Sequence, residues 1–194
     1  FRGFSSEHVH GWGIGSYENG KPNLIKEPVA AKDSDEFANV AKSTMSSMVI
    51  AHIRKMTRGR QVLEDTHPFQ FGDWIFGHNG TIDADHFLDK LNTVHRNAVK
   101  GSSDSEVYFH YLLQGYDAGG ESGLLKAIDD VRSREFSALN FVMSNGEMLW
   151  AYWDQTATPA KSLTPFYYQL YLTEREYAHA GGRQHRKIVH SVCR

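Results

Sequence analysis

Three short stretches carry residue types that suit one chemistry. In IAHIRKMTRG (Ile50–Gly59), Arg54 falls where a β-branched, buried strand should end. A guanidinium there presents a planar fork that can grip a carboxylate with two hydrogen bonds. Thr57 and Gly59 follow, supplying a hydroxyl and a close backbone approach. In WIFGHNGTI (Trp74–Ile82), the side-chain amide of Asn79 and the backbone N–H of Gly80 are two neutral donors. Held about 2.7–3.1 Å from a developing oxyanion, such donors stabilise a transition state by several kcal/mol. In GSSDSE (Gly101–Glu106), Asp104 falls in the first turn of a helix. A carboxylate suits the positive end of the helix dipole and can also receive an ammonium group. Each feature alone has an ordinary reading: a turn arginine, an Asn-Gly turn, a helix cap. Together they describe a site for an α-amino acid with a side-chain acyl group, such as glutamine or a γ-glutamyl compound.

The elements that must position these groups follow from periodicity and punctuation. GWGIGSY (Gly11–Tyr17) alternates as a strand does, and Asn19-Gly20 marks a hairpin turn before the partner strand NLIKEPV. Ser34 caps a short helix over SDEFANVAK. Ser46–Arg54 is a buried strand, in which Ile50, His52 and Arg54 face one way. A loop is expected to about Asp73, then a strand over Trp74–His78 that stops at Asn79-Gly80. Phe87, Leu88, Leu91 and Val94 make the stripe of one helix. SSDSEVYFHYLLQGY opens with a capping box, Ser103 with Glu106, and GLLKAIDDV reads as a further helix. ALNFVMS and EMLWAYW flank Asn145-Gly146 as a hairpin. PFYYQLYL and KIVHSV are further strand candidates, and GGRQHRK reads as a solvated turn. Hairpins dominate over βαβ crossovers, which predicts an α+β fold with largely antiparallel sheet.

Composition bounds the alternatives. The 194 residues, 40% hydrophobic and 23% charged, suit a single soluble domain spanning 1–194. Lys plus Arg number 21 and Asp plus Glu 23, a near balance that argues against a nucleic-acid surface and against an acidic tail. No apolar run approaches 18 residues, so no membrane partner is expected. The single cysteine, Cys193, permits no internal disulfide and reads as a bland thiol in a C-terminal strand or tail. A reducing, cytoplasmic location fits that usage. The chain starts at Phe1, so residues upstream of it are expected in the full-length protein.

HGWGIGSY, KEP, IAHIRKMTRG, EDTHPF, WIFGHNGTI and SSDSE, in this order and at this spacing, resemble the class II glutamine amidotransferases. The resemblance is strongest to stand-alone members without a synthase domain, of the YafJ and Dug3 kind. It covers Phe1 to Tyr116 well and is loose beyond. It implies an N-terminal-nucleophile hydrolase: a four-layer αββα sandwich of two mostly antiparallel sheets. It also implies a mature N-terminal cysteine whose own α-amine is the general base. Attack on the side-chain amide would give a γ-glutamyl thioester and ammonia, with no cofactor. By the same resemblance Arg54 binds the α-carboxylate, Asp104 the α-amine, Thr57 and the backbone near Gly59 position the substrate, and Asn79 with Gly80 forms the oxyanion hole. No cysteine lies near the start, so the nucleophile is expected upstream of Phe1. Lys55 and Arg58 stand where some members carry tryptophan and histidine, which leaves the specificity of this loop open. A homodimer, or a separate subunit that accepts ammonia, is compatible with the absence of a synthase domain.

Two rival readings differ in class. Eleven histidines, among them His8, His10, His52, His67 and His78, prompt a metal hydrolase, but no HExxH or comparable spacing occurs. A non-catalytic homologue lacking the nucleophile would still bind γ-glutamyl ligands through Arg54 and Asp104. Within the enzyme reading, glutamine and glutathione-like γ-glutamyl peptides present the same carboxylate, ammonium and carbonyl.

Overall fold

The structure, a computed structural model, describes residues 2–154 and the strands 169–179 and 182–192. Strand β1 (Trp12–Glu18) turns through Asn19 and Gly20, at φ 51° and 77°, into β2 (Lys21–Glu27). Both turn residues are left-handed, the conformation that lets a two-residue hairpin match strand twist. β3 (Val49–Ile53) pairs on the other side of β1, giving an antiparallel sheet of order β2-β1-β3. The second sheet contains β4 (Phe69–Phe71), β5 (Trp74–Ile82), β6 (Phe136–Ser144) and β7 (Leu149–Tyr152), antiparallel and in that order. Helices α1 (Asp35–Ser43), α2 (Ala84–Lys90), α3 (Thr93–Ala98) and α4 (Asp104–Arg132) flank the sheets, and β8 (Gln169–His179) pairs with β9 (Gly182–Val192) as an antiparallel hairpin.

Strand alternation builds the layers. Trp12 and Ile14 on one face of β1 pack with Phe37 and Val40 of α1. The opposite face meets the second sheet through Tyr17, Ile50 and Ile75. A Cβ on Gly15 would stand 2.7 Å from Ile75 Cγ2, so glycine is what lets the sheets approach there. The far face of the second sheet buries Phe76, Ile82, Leu139 and Phe141 against Phe87 of α2 and Tyr108, Phe109 and Leu112 of α4. The result is the expected α+β arrangement, α1 over one antiparallel sheet, that sheet over a second, and α2 with α4 beneath. Among the described residues no helix is long and apolar enough to cross a membrane.

Several local expectations are corrected. β5 does not stop at His78 but runs through Asn79-Gly80 to Ile82, paired residue by residue with β6 and irregular only between Thr81 and Ile82. Asn145-Gly146, by contrast, is a turn, in which the Asn145 side chain accepts from Glu147 and Met148 N–H. The loop before β5 contains β4, too short to show a period. The stripe from Phe87 to Val94 belongs to two helices, because Asn92 caps α3 through His95 N–H. GLLKAIDDV is continuous with α4 across a break at Gly119 and Gly120. The capping box is not formed: Ser103 Oγ accepts from Ser105 N–H, while Glu106 accepts from the N–H groups of Lys100 and Gly101. Ser103 N–H donates instead to Asp65, whose carboxylate outcompetes a glutamate that would have to fold back along its own helix. GGRQHRK is not a solvated turn. From Gly182 it is β9, with Lys187 in register with Glu174 and His185 with Glu176. PFYYQLYL enters the described residues only from Gln169, and Cys193 lies outside them.

Candidate active site

The end of β3, the middle of β5 and the start of α4 converge on a cavity of about 240 Å³. Its wall includes Arg54, Thr57, Asn79, Gly80 and Asp104, so five of the six residues singled out in the sequence meet in one place. Gly59 is the sixth and lies outside the lining. At φ 82°, a Cβ there would stand 2.9 Å from Asp65 Oδ2 and 3.1 Å from Arg54 Nη2. Its missing side chain makes room for protein groups behind the wall.

Arg54 is 3% exposed, which removes the reading of a solvated turn arginine. Its Nη1 donates to Arg60 O at 2.6 Å and its Nη2 to Arg58 O at 2.9 Å. The guanidinium therefore shapes the loop that follows it while lining the cavity. Those two bonds use two of its five N–H donors. Burial pushes its pKa down, and the Asp65 and Asp104 carboxylates oppose that shift. His10 accepts from Met56 N–H at 3.2 Å, fixing the same loop from the strand side.

Asp104, 5% exposed, opens α4. Its Oδ2 accepts from Ile82 N–H at 3.1 Å and its Oδ1 from Ser105 N–H at 3.0 Å. Burial raises its pKa above the ordinary carboxylate value, and Ile82 N–H, Arg58 and Ser105 N–H only partly offset this. A cation brought beside it would favour the ionised form.

β5 splits its functional side chains between its two faces. Asn79 points to the first sheet, where its Oδ1 lies 3.1 Å from His52 Nε2. Burial lowers the His52 pKa to about 4, so the ring is neutral at pH 7. An amide oxygen can only accept, which places the single ring proton on Nε2. Nδ1 is then a bare acceptor, in keeping with its burial without a protein partner. The ring stacks on His67 at 4.3 Å between centroids. His78 points the other way, into the helix layer. Its Nε2 lies 3.1 Å from Ala138 O and its Nδ1 2.9 Å from Ser105 Oγ. Burial lowers its pKa to about 4, so it is a neutral strut that donates to the carbonyl and accepts from the hydroxyl. Gly80, at φ 143°, has no room for a side chain: a Cβ would lie 1.9 Å from Ala138 O. Glycine here serves the packing of β5 on β6 as well as access to the backbone.

Asp65 ties the site together and carries no role in the sequence reading beyond its place in EDTHPF. Fully buried, it accepts from Arg60 N–H at 2.5 Å, Ser102 N–H at 2.5 Å, Ser102 Oγ at 2.8 Å and Ser103 N–H at 3.1 Å. Burial pushes its carboxyl up, but these donors and Arg54 outweigh that and hold its pKa below the usual value. One carboxylate thus joins the loop after Arg54 to the residues that precede Asp104. Lys26 supports the other wall, donating to Thr66 O at 2.6 Å beside His67. Burial pushes its ammonium down to about 8, against the pull of Glu106 and Glu64. His67, 5% exposed, lines the cavity with neither ring nitrogen hydrogen-bonded to protein. The sequence signal for His52 was present: it shares a strand face with Arg54. Among the described residues no group of three or more His, Cys, Asp or Glu side chains could hold a metal ion.

Comparison with known proteins gives this geometry a context. The sequence profile of the glutamine amidotransferases class-II family matches residues 1–180. The putative glutamine amidotransferase YafJ of Escherichia coli is 32% identical over 77% of this chain and 62% of its own length. A gamma-glutamyl-hercynylcysteine sulfoxide hydrolase of Mycobacterium tuberculosis is 27% identical over 74% of this chain and 58% of its own. A solved glutamine aminotransferase class-II domain protein from Silicibacter pomeroyi superimposes with a TM-score of 0.63, at 20% identity and with 90% of each chain covered. The chain spans about half the length of the curated relatives it matches, from 44% to 62% of each.

Proposed function

The chain belongs to the class II glutamine amidotransferases, and within that family we propose that its cavity cleaves the side-chain amide of glutamine or of a γ-glutamyl compound. The observation that carries this reading is the convergence of Arg54, Asn79, Gly80 and Asp104 on a single cavity of amino-acid size. Arg54 receives the α-carboxylate through the donors its loop does not use. Asp104 receives the α-ammonium, which returns its raised pKa toward the ionised range. Thr57 contributes a hydroxyl beside them. The reacting carbonyl then lies toward β5, where the Asn79 amide and the Gly80 N–H receive its oxygen as the tetrahedral intermediate forms. These donors are neutral and fixed in place, so little reorganisation accompanies charge development.

The nucleophile this reading requires is the thiolate of an N-terminal cysteine upstream of Phe1, its own α-amine taking the thiol proton. Attack expels the amine or ammonia, which leaves with a proton, and water then cleaves the γ-glutamyl thioester to glutamate. His52 is a positioning residue: its Nε2–H holds the Asn79 oxygen and so turns the amide N–H groups toward the carbonyl. A γ-glutamyl amide other than glutamine is a second donor reading, favoured by the similarity to the mycobacterial gamma-glutamyl-hercynylcysteine sulfoxide hydrolase.

Glutamate release by the full-length protein from glutamine and from γ-glutamyl amides tests the reading. Arg54→Ala is expected to raise KM foremost. Asn79→Ala is expected to lower kcat by about 10²–10³-fold, the usual size for one oxyanion donor. Full activity in Asn79→Ala would overturn the oxyanion assignment.

A further inference from the structure

Two contacts at the start of α4 bear on how the two ends of the donor are held apart, an inference that rests on the reading above. The site has two halves. Arg54 and Asp104 take the α-carbon end. Asp65 joins them, accepting from Arg60 N–H in the loop that Arg54 holds and from Ser102 and Ser103 N–H before Asp104. Asn79 and Gly80 of β5 take the amide end. None of those Asp65 bonds reaches β5. The first turn of α4 does, and it is pinned to the strand at two points. Asp104 Oδ2 accepts from Ile82 N–H at 3.1 Å, and Ser105 Oγ lies 2.9 Å from His78 Nδ1.

The two pins straddle the oxyanion donors. His78, Gly80 and Ile82 occupy alternate positions of β5, so Gly80 stands midway between pins about 13 Å apart along the strand. The His78 ring lies against Gly80 itself, since a Cβ there would be 3.0 Å from Nε2. His78 and Ser105 both line the cavity and are each 3% exposed, so little water competes for their bond. Nε2–H donates to Ala138 O, which leaves Nδ1 as a bare acceptor for the Ser105 hydroxyl and anchors the ring on β6. Two pins fix an orientation where one leaves a pivot. With the Ile82 bond alone, the helix start could swing about Asp104 and carry the α-carbon end of the donor with it.

We propose that the His78–Ser105 pair sets the span from the Asp104 carboxylate to the oxyanion donors, and so selects a γ-amide over a β-amide. Asparagine carries the same carboxylate, ammonium and carbonyl on a side chain one methylene shorter. Held by Arg54 and Asp104, it presents its carbonyl on the order of 1 Å short of the donors, and a misplacement of that size costs about 10²-fold in rate. Both are positioning residues, acting through Asp104 and Gly80.

The test is the ratio of kcat/KM for glutamine to that for asparagine, with γ-glutamylglycine and β-aspartylglycine as a second pair. It uses the full-length protein, with thermal unfolding alongside. The wild-type ratio is expected at about 10². Ser105→Ala keeps the backbone bonds of Asp104 and should lower the ratio about two- to twelve-fold, the weight of one hydrogen bond. His78→Phe should do the same, and the double variant no more than either. His78→Asn, whose side-chain oxygen takes the place of Nδ1, should keep the ratio, whereas His78→Gln, which keeps only the Nε2 donor, should lower it. General loosening of the fold slows both donors alike and leaves the ratio where it was. If the His78 variants fail to fold, Ser105→Ala alone decides. A wild-type ratio near one, or a ratio that Ser105→Ala leaves unchanged, overturns this inference while turnover of glutamine or γ-glutamylglycine upholds the function. β-Amide turnover undetected in the wild type and in every variant counts as an unchanged ratio. No turnover of either γ-amide by the wild type overturns the function itself, and this inference with it.

Discussion

His52→Phe is the substitution that most sharply separates positioning from packing. Phenylalanine keeps an aromatic ring to stack on His67, now at 4.3 Å, but removes the Nε2–H that holds Asn79 Oδ1 at 3.1 Å. It also removes a buried Nδ1 that has no protein partner, so the folded state loses little. What is lost is the preference of the Asn79 amide for one orientation. One net hydrogen bond of about 0.5–1.5 kcal/mol corresponds to roughly a two- to twelve-fold lower population of the productive amide. The expected outcome is therefore a fall in kcat of that size, smaller than the loss in Asn79→Ala, with KM unchanged. Steady-state glutamate release gives both constants, and thermal unfolding checks that the fold is intact. In the double variant with Asn79→Ala, the His52 substitution should add nothing, because the amide it orients is gone. Fully additive losses, or a rise in KM with kcat intact, would refute the positioning role.

Other consequences follow from neighbouring contacts. Gly80→Ala should cost on the order of 3 kcal/mol in denaturant unfolding, because its Cβ would meet Ala138 O at 1.9 Å on a backbone at φ 143°; wild-type stability would contradict this. In Asp65→Asn the amide oxygen can keep the Ser102 and Ser103 N–H groups, but its NH₂ then faces Arg60 N–H. Unfolding should show a loss of at least about 2 kcal/mol, and KM should rise more than kcat falls, since Arg54's loop and the start of α4 lose their shared anchor. Acid should destabilise the protein from about pH 6.5 downward. The pKa values of His78 and His110, both buried, fall to about 4 through burial, so the unfolded chain binds more protons below pH 6.5. Their contribution is present above that pH and is lost as pH falls toward about 4, on the order of 3 kcal/mol for each group. Asp104 and Glu106, whose pKa values burial raises, act with opposite sign and reduce the net loss wherever they take up protons in the folded state; stability from pH 6.5 to 5 is the quantity to measure.

The legible part of this protein is the part written as local pattern. Alternation in GWGIGSY gives β1, Ser34 gives the cap of α1, and the Asn145-Gly146 turn gives the hairpin of β6 and β7. Arg54 and Asn79 stand out because a guanidinium and a side-chain amide follow directly on strands expected to be buried. What escapes local reading is set by partners far along the chain. Asn79-Gly80 has the composition of a turn, and only pairing with Asn140 and Leu139 of β6 makes it strand. Ser103 and Glu106 have the spacing of a capping box, and only Asp65, 38 residues before Ser103, takes the bond that the box would have used. Gly59 has the look of a substrate-facing glycine, but the groups it accommodates are Asp65 and Arg54.

The most direct measurement treats the full-length protein with a glutamine-analogue alkylator, follows glutamate release and locates the adduct by mass spectrometry. The account predicts that activity falls to zero as one adduct forms per chain, on the N-terminal cysteine upstream of Phe1, and that excess glutamine or γ-glutamyl substrate slows the labelling. No glutamate release from any γ-glutamyl donor, or an adduct confined to Cys193 while that release continues, would contradict it.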